Sequence, residues 1–164
     1  MTLRSATPAD AEAIKSIMDP VIETSTSSFS SLSRSTAEWA TFIEDRIAAN
    51  RAFYVVEGEG HSVLGYASYE QFSPGNNGYR YTMEHSVYLT EGAQGKGLGR
   101  MLMIALIEHA RSSGHHSMVA KIDASNNGSI AFHESLGFEV RGRLQEAGFK
   151  FDRWLDVVFM QKLL

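Results

Sequence analysis

Gln94-Gly95-Lys96-Gly97-Leu98-Gly99-Arg100 decides how this chain is read, because it joins an expected strand over Glu84 to Leu89 to an expected amphipathic helix over Leu98 to Ser112. Glycines at 92, 95, 97 and 99 strip side chains from the turn, so backbone N–H groups can converge on an anion at the helix N-terminus. Lys96 and Arg100 add positive charge beside those amides, which suits a pyrophosphate better than a carboxylate. A Walker loop needs Ser or Thr after Gly-Lys, and Gly97 stands there instead. A Rossmann fingerprint needs its third glycine at position 100, which is Arg, although Asp123 would suit the ribose acid, so a dinucleotide turn stays open. A loop that only caps a helix needs fewer than four glycines in eight residues.

The 164 residues suit one domain spanning 1–164, and a chain of that length buries roughly two-thirds of its unfolded surface. The absence of cysteine excludes disulfides, thiolate metal sites and a cysteine nucleophile, in keeping with the expected reducing cytoplasm. A formal net charge of −4 and the lack of a basic run argue against nucleic acid, which leaves a small molecule as the expected partner. The longest apolar run, Met101 to Ile107, falls far short of the ~20 residues that span a membrane, so no membrane partner is expected. His115 and His116 are adjacent while His61, His85 and His109 are scattered, and no metal is expected.

Thr7-Pro8-Ala9-Asp10 has the signals of a helix start, with Ala11, Ile14, Met18 and Val21 sharing a face. From Glu23 to Arg34 the chain is mostly Ser and Thr around Phe29 and Leu32. It is either a linker or the wall of an acceptor cleft. Ser35-Thr36-Ala37-Glu38 matches a capping box, and Trp39, Phe42, Ile43 and Ile47 follow at helical spacing. Phe53 to Glu57 and Val63 to Tyr69 read as a hairpin, followed by the turn-forming cluster Ser73 to Gly78. After the glycine loop, Ser117 to Ile122 reads as a strand, Asn126 or Asn127 as the cap of a short helix through Leu136, and 138–144 and 149–161 as two last strands. This alternation points to α/β or α+β layers around one sheet.

The spacing Gln-x-x-Gly-x-Gly, met by Gln94, Gly97 and Gly99, resembles the acetyl-CoA signature of the GNAT N-acetyltransferases. Asn126, His133 and Gly137-Phe138 resemble that family's Asn…Tyr…Gly-Phe block, with His in the Tyr position. Thr82 to Tyr88, Phe132-His133-Glu134 and Lys150 to Val157 are similar to the phosphinothricin and methionine sulfone or sulfoximine acetyltransferase branch. The resemblance implies a mixed, mostly antiparallel sheet flanked by helices and splayed after the strand ending at Leu89. Pantetheine would enter the gap and bond the backbone of Val87, Tyr88 and Leu89. Gln94, Gly95, Lys96, Gly97, Leu98, Gly99 and Arg100 would hold the pyrophosphate, with Asn126 and Ser135 along the cofactor arm. A homodimer is implied as well. The branch typically carries an Arg-Pro pair before its Glu-bearing strand, where this chain has Ser73-Pro74-Gly75, so the arginine that would clamp a substrate carboxylate is missing there and Arg80 is the nearest substitute.

Acetyl transfer needs a neutral amine, a polarised thioester carbonyl and a proton for the leaving thiolate. Glu84 is the expected general base, since a carboxylate beside a cleft can be tuned upward by desolvation. On a regular strand it shares a face with Ser86 and Tyr88 while His85 points away. His133 is the second expected catalytic group, ordering the acceptor or relaying a proton when neutral and protonating the thiolate when charged. Tyr88 is another candidate acid, and a backbone N–H of Val87 to Leu89 the expected oxyanion donor. Phe29, Ser73, Pro74, Gly75, Glu84, His85 and Ser86 are the expected acceptor-site residues. The expected acceptor is a small amino-acid-like amine; a protein or peptide acceptor, or a catalytically silent acyl-CoA-binding module, is the alternative.

Overall fold

Strands form where β-branched and aromatic residues cluster, and helices where apolar residues recur every three or four positions. The computed structural model describes residues 1–164. In chain order it contains β1 (Thr2–Ser5), α1 (Ala11–Thr24), α2 (Thr36–Ala48), β2 (Phe53–Glu57), β3 (Val63–Gln71), β4 (Thr82–Leu89), α3 (Leu98–Ser112), β5 (Ser117–Asp123), α4 (Asn127–Ser135), β6 (Glu139–Lys150) and β7 (Arg153–Leu163). One sheet holds all the strands in the order β1-β2-β3-β4-β5-β7-β6. Only the β4–β5 pair is parallel, so the sheet is mixed and mostly antiparallel, as expected.

Period-two alternation sends strand side chains to two cores. Val56, Ala67, Tyr69 and Met83 pack with Leu102, Leu106 and Phe138 on the α3 face, whereas Phe53, Val55 and Tyr66 pack with Ile14, Trp39 and Ile43 on the α1–α2 face. The capping box of α2 forms: Ser35 Oγ accepts from Glu38 N–H at 3.2 Å, and the Glu38 carboxylate accepts from Ser35 N–H at 2.7 Å.

Two features depart from the sequence reading. β1 is an added strand whose only large apolar residue is Leu3, too short for a periodic signal. Pairing with β2 creates it, and Arg4 pins it by ion pairs to Asp10 at 2.7 Å and Glu57 at 2.5 Å. In the last hairpin, β6 runs on to Lys150 and the turn falls at Phe151 and Asp152, both at positive φ (53° and 55°). The polar stretch before Gly148 is a bulge in β6, not a break: the register shifts between Leu144 and Gly148, and Glu146 N–H donates to Asp156 Oδ1 at 2.8 Å.

The Ser/Thr-rich segment after α1 is a wall strapped to three strands. Lys150 Nζ donates to Ser25 O at 2.6 Å and Ser28 O at 2.7 Å, Tyr88 Oη donates to Ser27 O at 3.2 Å, and Thr26 Oγ1 donates to the Asp123 carboxylate. Phe29 lies so close over Gly148 that a Cβ there would come within 2.5 Å of its ring. Lys150 is only 4% exposed and has no carboxylate partner, and burial pushes its ammonium below the usual lysine range. Its two carbonyl acceptors are what hold the charge in place. Lys150→Met keeps the length and removes both donors, at about 1–3 kcal/mol for hydrogen bonds from a charged group. Hydrogen exchange should show the amides of 25–30 opening roughly 5- to 100-fold more often while β2 and β3 keep their protection; equal protection in the variant would mean that the other latches suffice.

Candidate active site

β4 and β5 pair over only three residue pairs, Thr82↔Ser117, Met83↔Met118 and Glu84↔Val119, and then part. On its other side β4 stays paired with β3 up to Leu89. Phe72 N–H donates to Thr82 O and Thr90 N–H to Leu64 O, and hydrogen-bonded pairs alternate along an antiparallel ladder. The backbone of Glu84, Ser86 and Tyr88 is therefore spent on β3. Val87 and Leu89 turn their N–H and C=O groups toward β5, where the strand has moved away. Tyr88, expected to use its backbone here, contributes its side chain instead.

The gap leads to the glycine loop. Gly95 and Gly97 adopt positive φ (72° and 78°), and a Cβ at either would meet nothing within 4 Å, so the turn faces open space. Met101 N–H is the first in α3 to reach a backbone acceptor, Gly97 O at 3.0 Å, which leaves the amides of Leu98, Gly99 and Arg100 without one. Gly99 serves packing: a Cβ there would sit 3.5 Å from Phe132 and 3.6 Å from Leu89. Arg100 Nη1 donates to Ser135 O at 3.3 Å, tying α3 to the end of α4. Free amides, the helix dipole and the Arg100 guanidinium together favour an anion at this mouth of the gap.

A cleft of about 1790 Å³ runs from this loop through the gap to the α1–α2 face. Every residue expected to touch the cofactor lines it except Lys96, which points to solvent. Glu84, Ser86 and Tyr88 line it on the α1–α2 face, opposite Glu70, Ser68 and Tyr66 of β3. Glu84 is not isolated from charge: its carboxylate pairs with Lys121 Nζ at 2.8 Å and is 22% exposed. Phe29 and the serines beside it close this side. Burial raises the Tyr88 hydroxyl above the usual phenol range, so it keeps its proton.

His85 and His133 line the cleft from the opposite face of β4. Their rings stack at 5.0 Å and 24°, with Phe138 edge-on to both. His133 Nδ1 lies 2.7 Å from Ser129 O, a pure acceptor, so Nδ1 carries the proton and Nε2 presents a lone pair. Burial lowers the affinity of His133 for a second proton, and burial with the neighbouring ring holds His85 at about 3. Both imidazoles are neutral near pH 7, the state in which His133 is expected to order the acceptor or relay a proton. Asn126 Oδ1 caps α4 through Ser129 N–H at 3.0 Å.

Ser73, Pro74 and Gly75 lie outside the cleft lining, in an exposed turn that Gln71 Nε2 braces through Asn76 O at 2.8 Å. They sit before β4 begins, whereas the gap opens only beyond Glu84. Arg80 also lies outside, stacked on Tyr81 at 4.6 Å. The sequence reading missed Lys121, Arg34, Trp39, Phe42 and Tyr66 as cleft residues. For Lys121 the only signal was a lysine in an otherwise apolar strand. Trp39 and Phe42 read as one face of a helix and Tyr66 as part of a strand until α2 is placed beside β3, and Arg34 only as the end of a segment that was either a linker or a cleft wall. No group of three or more His, Cys, Asp or Glu side chains is arranged to hold a metal, and no helix is long and apolar enough to cross a membrane.

Comparison with known proteins meets this geometry. Residues 3–159 match the family described as Acetyltransferase (GNAT) domain. An L-methionine sulfoximine/L-methionine sulfone acetyltransferase of Salmonella typhimurium is 41% identical over 161 residues, covering 98% of this chain and 93% of that protein. The crystal structure of a ribosomal-protein-alanine N-acetyltransferase from Brucella melitensis superposes with a TM-score of 0.96 at 40% identity, covering all of both chains. A GNAT superfamily phosphinothricin acetyltransferase from Sinorhizobium meliloti, solved in complex with acetyl-CoA, superposes with a TM-score of 0.95 at 34% identity, covering 99% of this chain and 88% of that one. A sheet parted between β4 and β5, a glycine loop with free amides at its mouth and a match along nearly the whole chain lead to one conclusion: the chain belongs to the GNAT acetyltransferase family.

Proposed function

We propose that this protein transfers the acetyl group of acetyl-CoA to the amine of a small amino-acid-like acceptor of the methionine sulfone, methionine sulfoximine or phosphinothricin type, with Glu84 as general base. The observation that carries the reading is a cleft that passes through the sheet, with an anion-binding loop at one end and a carboxylate on the other face. The loop amides of 95–100 hold the pyrophosphate, and Val87 and Leu89 bond the pantetheine arm through backbone groups. Glu84 takes one proton from the acceptor ammonium; the amine nitrogen then forms its bond to the acetyl carbon, with a β4 amide stabilising the oxyanion. As the C–S bond breaks, the nitrogen's second proton passes to the thiolate. Neither aromatic side chain suits that transfer, since Tyr88 is a weaker acid than a thiol and His133 presents a lone pair.

The small-acceptor reading is supported by the 25–34 wall, strapped at 25–29 and lining the α1–α2 side of the cleft, and by the activities named for the relatives. The Brucella protein's name favours a peptide acceptor, and an acceptor screen that includes N-terminal peptides separates the two. The lack of cysteine suits the cytoplasm. A homodimer is supported by the last hairpin, where Val140, Leu144, Phe149, Phe151 and Trp154 are all about half or more exposed on and beside the edge strand β6. Sedimentation should give twice the chain mass, and Trp154→Glu should shift it to one chain; a monomeric wild type would remove the dimer.

Two variants test the chemistry. Gly97→Val places a branched side chain at a positive φ in the open space before the free amides, and acetyl-CoA affinity should fall at least about tenfold by calorimetry, beyond the 1–2 kcal/mol of local strain. Unchanged affinity in a folded variant would move the pyrophosphate elsewhere. Glu84→Gln retains the volume but accepts no proton, so turnover at saturating acceptor should drop roughly 10²–10⁴-fold while acetyl-CoA binding is preserved. Near-normal turnover would make Glu84 a partner of Lys121 and nothing more.

A further inference from the structure

Besides the two neutral histidines, three basic side chains line the cleft: Arg34, Arg100 and Lys121. Two are already engaged. Arg100 belongs to the anion loop and donates to Ser135 O, and Lys121 is paired with Glu84. Arg34 makes no ion pair and no hydrogen bond. Its guanidinium lies over Trp39 at 5.0 Å and over Phe42 at 4.6 Å, contacts that fix its plane and leave its N–H edge free. The nearby carboxylate of Glu38 is turned to Ser35 N–H. Arg46 shares the Phe42 ring at 4.2 Å, but its charge is met by Glu70 at 2.6 Å. Phe42 therefore carries two guanidinium groups, one neutralised inside the protein and one, on the cleft side, not.

Arg34 is exposed, and the chain holds it from its C-terminal side: it directly precedes Ser35, whose capping box fixes the start of α2, while the latches of the wall end at Phe29. It stands on the α1–α2 face, where Tyr66, Tyr88 and Glu84 also line the cleft. A cation and an anion on one face match a zwitterion, whose ammonium must reach Glu84 and whose acid group needs a counter-charge.

We propose that Arg34 binds the acidic group of the acceptor through a bidentate pair, so that the acceptor class is the free α-amino acid and not the simple amine, amide or ester. This rests on the acetyl-transfer reading above and adds the residue that selects among amines. It also accounts for the exposed Ser73-Pro74-Gly75 turn and for Arg80, neither of which reaches the cleft: the acid-binding arginine comes from the other wall.

The test uses L-methionine sulfone and its carboxamide, two acceptors that differ only in the acid group, with wild type, Arg34→Gln and Arg34→Lys. Wild type should prefer the acid. In R34Q, KM for the acid should rise about 10- to 100-fold, the scale of a charge-assisted bidentate contact, with KM for the carboxamide and for acetyl-CoA changed less than about twofold. R34K should recover part of the preference, because it restores charge without the planar fork. Equal losses on both acceptors would overturn the assignment and leave Arg34 as a brace for Trp39 and Phe42. An undiminished preference for the acid in R34Q, or a wild type with no preference, would overturn it while acetyl transfer stands. A wild type that acetylates neither compound but acetylates peptide N-termini would overturn the small-acceptor reading, and this assignment with it.

Discussion

The parting of β4 from β5 is the constraint on which the rest of this structure depends. Backbone N–H and C=O groups inside a protein need partners, and a sheet normally supplies them from the next strand. Here the parallel pairing ends at Glu84 and Val119, and the groups of Val87 and Leu89 face open space. Nothing in β4 forbids a longer ladder. The divergence is imposed by what flanks the two strands: β4 must turn into the glycine loop and α3, while β5 is drawn to β7 along its whole length from Ser117 to Asp123. Strand donors left unpaired in the middle of a sheet are open to a partner that is not a strand.

Because the opening passes through the sheet, its two ends have different chemistry. On the α3–α4 side the walls are free amides, Arg100 and neutral imidazoles, a setting for phosphate and thioester. On the α1–α2 side they are Glu84, Lys121, Arg34 and the ring faces of Trp39, Phe42 and Tyr66, a setting for a small charged molecule with an apolar part. Period-two alternation along β4 does the sorting, since Glu84 and His85 are neighbours in the chain and sit on opposite faces of the strand. The strapped wall completes the acceptor side. Its serines and threonines bury no core, so its shape depends on latches from distant strands, above all the desolvated ammonium of Lys150.

Much of this was legible in the residues themselves, for a local reason. The glycine loop, α3 and its boundaries, the capping box of α2 and the β2–β3 hairpin all arise between near neighbours in the chain, where backbone sterics, caps, turns and hydrophobic period act directly. The anion site belongs to the same class, because its donors are consecutive amides. The family resemblance was readable as well, since Gln94, Gly97, Gly99 and the block from Asn126 to Phe138 are contiguous patterns. Elements whose cause is distant were not readable. β1 exists because β2 offers an edge and Arg4 finds Asp10 and Glu57, and β6 continues through a polar stretch because Asp156 on β7 receives Glu146 N–H.

The sequence by itself therefore determined the fold class, the glycine loop with its free amides and the strand that carries Glu84, because each is written in spacing. Only the tertiary structure decided which cations face the α1–α2 side of the cleft. Lys121 meets Glu84 across two strands that touch for three residue pairs, Arg34 reaches the cleft because α2 lies against β3, and the Ser73-Pro74-Gly75 turn is left outside because the gap opens beyond Glu84. Charge placement across a cleft is a property of long-range packing, and no local pattern encodes it.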